Sequence, residues 1–300
     1  MRFTIRPDKA FGKEVRRLAA GYLDRAIASL EQQPDGPHEA VHAARKQFKR
    51  LRGLYRLVAE ADKAFQEAEN ERIGGIARAL AGLRDTTSRI EITRHLAVAA
   101  GTAEEHMALI RICERLIARR DQEGNGTPLA EMIGAAIDGC RDARDAVKMF
   151  RPDGGAAAEI VAKGWERTAR KAQRAFADAR ATGDAENFHT LRKRTQDRWM
   201  HCGFLVDLWP AALRSSQVEA KRLVDLLGLN QDIALLGTFA DHHPDALGPS
   251  EDLSHLLSVM IAEGDRIRGD VLKLAADIFR DDPAGDARRV AALWRLAAKA

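Results

Sequence analysis

The chain has 300 residues, 45% hydrophobic and 31% charged, which excludes disorder by composition. Its formal net charge of +4 is too small for a protein that coats nucleic acid through bulk charge, so the placement of the cations matters more than their number. The cysteines Cys113, Cys140 and Cys202 have no paired spacing, which argues against a disulfide framework or a zinc site.

Aromatic residues make up only 5%, there are nine prolines, and Ala, Arg, Leu and Glu dominate, a helix-forming composition. Apolar periodicity predicts helices over about 8–32, 37–60, 63–83, 86–100, 103–122 and 128–149, then about 155–181, 185–208, 211–228, 230–242, 250–279 and 284–299. Turn chemistry separates them at Pro34-Asp35-Gly36-Pro37, Gly124-Asn125-Gly126-Thr127-Pro128, Pro152-Asp153-Gly154-Gly155 and Asp281-Asp282-Pro283. Thr127 reads as an N-cap. No stretch of about 18 apolar residues and no apolar leader at Met1-Arg2-Phe3 are present, so neither a membrane span nor a secretion signal is expected and the expected location is the cytoplasm.

The helices repeat. His42-Ala43-Ala44-Arg45-Lys46 is echoed by His189-Thr190-Leu191-Arg192-Lys193, and Leu80-Ala81-Gly82-Leu83-Arg84-Asp85 by Leu227-Gly228-Leu229-Asn230-Gln231-Asp232, both at an offset of 147 residues. His95 and His242 fall in the same register. A shared offset predicts two helical halves, 1–151 and 152–300, related by a pseudo-two-fold axis.

On a helical wheel His42, Arg45, Lys49, Arg52 and Arg56 occupy an arc of roughly 80°, while Phe48, Leu51, Leu54 and Tyr55 gather opposite. Lys46 and Arg50 widen the positive face. Like charges one turn apart repel by a few tenths of a kcal/mol per pair, and only Glu39 offsets them locally, so the stripe predicts a polyanionic partner. The second copy keeps His189, Arg192 and Lys193, but Gln196, Trp199 and Gly203 replace the later cations, and Arg194 and Arg198 point elsewhere on the wheel. A further stripe runs through Lys163, Arg167, Arg170, Lys171 and Arg174. Asp85 and Asp232 each close a Leu-rich stretch; they read either as N-caps or as buried acceptors that hold an Arg or His of the stripe in place. Asp241-His242-His243 lies in a predicted loop without supporting carboxylates, so no metal site is expected. Trp165, Trp199, Trp209 and Trp294 read as core or inter-helix anchors.

His42-x-x-Arg45-Lys46-x-x-Lys49-Arg50-Leu51-Arg52 followed by Leu83-Arg84-Asp85, with the second copy at His189-x-x-Arg192-Lys193 and Leu229-x-x-Asp232, resembles the CHAD domain family over nearly the whole chain. The resemblance implies an all-α protein of two four-helix-bundle-like halves with a basic central cavity that binds inorganic polyphosphate, and no catalytic activity of the domain itself. Some relatives carry an attached triphosphate tunnel domain with an ExExK-like strand; none is seen in this chain, which resembles a stand-alone copy. The expected site is therefore His42, Arg45, Lys46, Lys49, Arg50, Arg52, Arg56, His189, Arg192 and Lys193, with Arg167, Arg170, Lys171 and Arg174 contributing and Asp85 and Asp232 as structural support. No catalytic residue, metal or cofactor is expected. The expected partner is inorganic polyphosphate, with granule targeting as its use. The alternatives are a nucleic-acid binder, which would call for stacking platforms, and a metal-dependent phosphohydrolase, which would need placed carboxylates.

Overall fold

The computed structural model describes residues 3–80, 85–123, 127–152 and 156–299. Among these residues there are eleven α-helices and no strand: α1 Phe11–Gln32, α2 Pro37–Leu57, α3 Lys63–Ala79, α4 Asp85–Ala99, α5 Ala103–Glu123, α6 Thr127–Ala146, α7 Ala157–Thr182, α8 Ala185–Phe204, α9 Pro210–His242, α10 Ser250–Ile278 and α11 Pro283–Ala297. The protein is all-α.

Local chemistry sets the boundaries. Proline opens α2, α9 and α11, where the first turn has no use for the missing N–H. Asp62 caps α3 by accepting from the Phe65 amide at 3.0 Å, and Asp282 caps α11 by accepting from the Gly285 amide at 2.8 Å. Gly183 closes α7 with a φ of 72°, the left-handed geometry that glycine adopts without strain. The side chain of Thr127, expected as a cap, lies outside the described residues, as do Ala81, Gly82, Leu83 and Arg84.

One predicted break is absent. The stretch expected as two helices, 211–228 and 230–242, is the single 33-residue helix α9. The expected break falls at Gly228, but one glycine in a helix costs only ~1 kcal/mol. Here its bare Cα also serves packing, because a Cβ would sit 3.2 Å from the Arg192 guanidinium. Asp232 is consequently a mid-helix residue, and the N-cap reading of it is wrong. Asp241 and His242 form the last turn of α9, in line with the helix expected over 230–242 and not with the loop reading of Asp241-His242-His243. This helix is long and apolar enough to cross a membrane, with a mean hydropathy of 1.2, yet half of that window is buried inside the fold, where Leu223, Leu227, Ile233 and Leu236 enter the core.

Two apolar clusters organise the helices. The first joins α1, α2, α6 and α11 with Ile73 of α3, the start of α7 and the end of α8. The second joins α4, α5, α9 and α10 with the end of α7 and the start of α8. Each cluster draws on residues from both sides of Pro152, and α7 and α8 run through both. Of the four tryptophans, Trp165 and Trp294 are buried in the first cluster and Trp199 packs half-buried against it. Trp209 does not fit the expectation of an anchor: it precedes α9 and is 45% exposed.

Two contacts pin this arrangement. At Gly164 of α7 an added Cβ would stand 1.8 Å from the Leu57 carbonyl oxygen at the end of α2. Because that oxygen is backbone and cannot rotate away, Gly164→Ala should cost at least the ~3 kcal/mol at the upper end of ordinary overpacking. The denaturation midpoint measures this, and a wild-type midpoint would contradict so close an approach.

The second contact is His201 on α8. Its Nε2 donates to the Gly53 carbonyl at 3.0 Å, and its Nδ1 lies 3.3 Å from the Thr168 hydroxyl, so one buried ring ties α8 to α2 and α7. Burial pushes its pKa down to about 4, so the folded ring stays neutral. An unfolded histidine titrates near 6.5. As pH falls from 6.5 to 4 the unfolded chain takes a proton that the fold refuses. Stability from this group is complete above pH 6.5 and declines across that window by about 3 kcal/mol. Urea titrations at pH 7 and pH 4.5 should show a larger drop for wild type than for His201→Gln, and equal drops would remove His201 as the cause.

Candidate functional site

The apolar residues Phe48, Leu51, Leu54 and Tyr55 bury one face of α2 in the first cluster, which turns the opposite face toward α8 and α9. Gly53 makes the α2–α8 crossing close: a Cβ there would lie 2.7 Å from the Met200 Cε. Beside this crossing opens a hollow of about 730 Å³. Arg45, Lys49, Arg52 and Arg56 of α2 line it, facing His189, Arg192, Lys193, Arg194 and Gln196 of α8 and Gln231, Asp232 and Leu235 of α9. Among the described residues the wall thus holds seven Lys or Arg side chains against one carboxylate, with His189 beside them and no Phe, Tyr or Trp.

The structure brings most of the expected α2 and α8 residues together, but not all. His42, one turn before Arg45, is half-buried and does not line the hollow; neither does the exposed Lys46. Arg50 turns to the other side of α2, into a separate pocket. On α7, Arg167 is engaged by Glu60 and donates to the Arg56 carbonyl at 2.5 Å, and Arg170 pairs with Glu166 at 2.6 Å. Neither these two, nor Lys171, nor the exposed Arg174, lines the hollow. Asp232 lies in its wall; the side chain of Asp85, first residue of α4, is outside the described residues.

A buried acid, an amide and a backbone carbonyl hold several of the cations in place. Arg56 donates to Asp197 Oδ1 at 2.7 Å, and Arg194 sits 3.7 Å from the other oxygen of the same carboxylate, which is itself 1% exposed. Arg52 donates to the Asn70 amide oxygen at 3.3 Å. Arg45 donates to the Ala77 carbonyl at the end of α3. Lys193 has Glu186 at 4.0 Å, both well exposed.

The titration of the neighbourhood reflects this imbalance. Burial, and then the charges of Arg56 and Arg78, hold the Arg52 guanidinium below its ordinary pKa despite Asp197. Burial followed by Arg194 and Arg167 lowers the Lys171 ammonium. Burial followed by Lys193 lowers the His189 imidazole, partly opposed by Glu186 and by its hydrogen bond to Gln231. The Nδ1 of His189 is buried and takes no hydrogen bond among the described residues. In all three groups the positive form is disfavoured by burial and by neighbouring cations, the condition an anion would relieve.

A second hollow of about 420 Å³ shares Asp232 and Leu235 with the first and continues past Arg89, Phe239, His242 and His243. The Arg89 guanidinium lies 4.1 Å over the Phe239 ring, and His242 Nδ1 donates to the Thr238 carbonyl at 2.7 Å. Among the described residues no group of three or more His, Cys, Asp or Glu side chains could hold a metal ion.

Three wall or support residues escaped sequence reasoning. Arg194 lies away from His189 on the wheel, but its long side chain curls back to Asp197 and the hollow. Asp197 carried a signal: an acid three residues before Met200 and four before His201, in the buried phase of α8. Gln231 had none. Two shorter basic stretches lie elsewhere: Arg111 and Arg115 both grip the buried Asp252 at 2.5 and 2.7 Å, whereas Arg141 and Arg144 make exposed pairs with Glu31 and Asp24.

The geometry defines a class: an all-helical protein whose helices present cations to a shared hollow. Residues 17–241 match the CHAD domain family, and the chain belongs to that family. No curated protein gives a match to the chain.

Proposed function

We propose that the hollow between α2, α8 and α9 is the basic cavity of a polyphosphate-binding protein, and that the chain acts as a binding module in the cytoplasm, on polyphosphate granules, with no catalytic step of its own. The observation that carries this reading is the wall itself: seven Lys or Arg side chains, one carboxylate and, among the described residues, no Phe, Tyr or Trp. A string of phosphates offers only charge and hydrogen-bond acceptors, so guanidinium and ammonium groups are the complementary surface. A single-stranded nucleic acid would draw much of its affinity from stacking, for which this wall offers no Phe, Tyr or Trp face among the described residues. Membership of the CHAD family is consistent with polyphosphate binding in general.

The repeat supports a two-fold reading of the same cavity. Arg45 and Arg192, 147 residues apart in sequence, both line the hollow, as do Lys49 and its counterpart Gln196. The second copy supplies fewer cations at equivalent positions, and Arg194 makes up part of the difference.

Competition tests the assignment. Long-chain polyphosphate at moderate salt should displace a labelled DNA oligonucleotide completely, whereas excess DNA should leave labelled polyphosphate bound. Failure of polyphosphate to displace DNA would overturn the reading, and phosphate release on adding Mg²⁺ or Mn²⁺ would overturn the non-catalytic part of it.

A further inference from the structure

Arg50 leaves the cationic hollow for a pocket of a different character on the other side of α2. This pocket, of about 320 Å³, is walled by four aromatic residues, the half-buried Phe3 and Trp199 and the core residues Tyr22 and Phe204, with Arg25 and Arg50 beside them. Phe3 and Tyr22 pack at 4.7 Å between ring centroids, and Tyr22 and Phe204 at 6.3 Å. The Arg25 guanidinium lies 3.9 Å over the Phe3 ring, and Arg50 donates to the Gln47 amide oxygen at 3.4 Å. Among the described residues no carboxylate lines this pocket.

A polar reader is built into the same wall. Gln217 of α9 reaches over Gly203 of α8, where an added Cβ would stand 2.6 Å from the Gln217 amide nitrogen. Glycine is therefore what admits this amide, and the amide can both donate and accept. The Tyr22 hydroxyl, its pKa pushed up to about 12 by burial, stays a neutral donor.

We propose that this pocket binds a nucleoside monophosphate, its base against the aromatic wall and its phosphate on Arg25 and Arg50, independently of the polyphosphate reading of the neighbouring hollow. Bare phosphate chains would waste the aromatic surface, since they have no face to stack. An organic cation, the other ligand that suits an aromatic box, would meet two guanidinium groups and no acid. Among anions, those that pair a flat heterocycle with a phosphate use both halves of the wall, as base–aromatic stacking and Arg–phosphate contacts do elsewhere. The volume admits a single nucleotide and is at the small end of ligand pockets.

The test uses the full chain, with AMP, GMP, CMP and UMP as probes, calorimetry for affinity and tryptophan fluorescence for the position of Trp199. At least one nucleotide should bind with one-to-one stoichiometry and change the fluorescence, with the nucleoside alone and inorganic phosphate alone each at least tenfold weaker. Arg25→Ala, an exposed position, should weaken the nucleotide at least tenfold and leave the affinity for long-chain polyphosphate within twofold. Gln217→Ala should change the preference among the four bases; its thermal melt and that of Arg25→Ala confirm that both variants fold. The proposal is overturned if no nucleotide binds at millimolar concentration, if phosphate alone binds as tightly as the nucleotide, or if neither variant alters nucleotide binding.

Discussion

Lys49→Ala combined with Lys193→Ala should lower the affinity for long-chain polyphosphate about a hundredfold and leave the fold unchanged. The two side chains lie on opposite walls of the hollow, on α2 and α8, and both are exposed. Each hydrogen bond to a charged group contributes ~1.5 kcal/mol or more, so losing two removes ~3 kcal/mol, or two decades of affinity. Salt provides a second readout. By analogy with single-stranded nucleic acids, each lost contact should make the slope of log K against log salt shallower by ~0.7, so the double variant should lose ~1.4 from the slope. Surface substitutions of this kind stay within about 0.5 kcal/mol in stability, so the melting curve should overlay that of wild type. Binding titrations from low to moderate salt decide the matter. An unchanged slope would mean that phosphates lie somewhere other than between α2 and α8.

The same two helices show how much of the site the sequence makes legible. Period and turn chemistry place nearly every helix, because the apolar phase of each one is also its buried face. The stripe on α2 is readable for the same reason: burying Phe48, Leu51 and Tyr55 leaves Arg45, Lys49, Arg52 and Arg56 only one direction to point. What a wheel cannot convey is which neighbour a helix meets. Arg50 widens the positive face on the wheel, roughly 80° beyond the edge of the stripe, yet falls beyond the α2–α8 crossing, into the aromatic pocket. Arg194 lies far from His189 in angle yet reaches the hollow, because a buried acid draws it there. His42 heads the first repeat motif as His189 heads the second, but on α2 the hollow begins one turn later, at Arg45. The continuity of α9 through Gly228 is hidden for another reason. A glycine reads as a stop unless one knows that the Arg192 guanidinium packs against it. Those errors concern tertiary packing, which overrides local preference by amounts that local preference cannot anticipate.

Asp197→Asn should lower stability and raise polyanion affinity together, a pairing of effects that a simple structural role would not produce. The carboxylate is 1% exposed, accepts from Arg56 at 2.7 Å and faces Arg194 at 3.7 Å. Removing one partner of a buried ion pair costs about 3–5 kcal/mol, because the charge left behind is uncompensated. Arg56 and Arg194 keep 28% and 30% of their side chains exposed and can turn toward water, so the loss should sit near the lower end, about 3 kcal/mol, with a melting temperature several degrees below wild type. The same substitution deletes a negative charge beside the wall and releases two guanidinium groups toward the hollow. A bound polyanion would then experience a stronger field, with affinity rising about fivefold at low salt and less as salt screens it. The salt slope should steepen by ~0.7 for each guanidinium that gains a phosphate. Polyphosphate should therefore stabilise the variant more than wild type, since a ligand that binds only the folded state adds stability in proportion to its affinity. Thermal melts with and without polyphosphate, paired with salt-dependent titrations, separate the two effects. If Asp197→Asn binds more weakly than wild type, the carboxylate acts chiefly by aiming Arg56 and Arg194 at the ligand. If its stability is unchanged, the positive charges on this wall are already balanced by something other than Asp197.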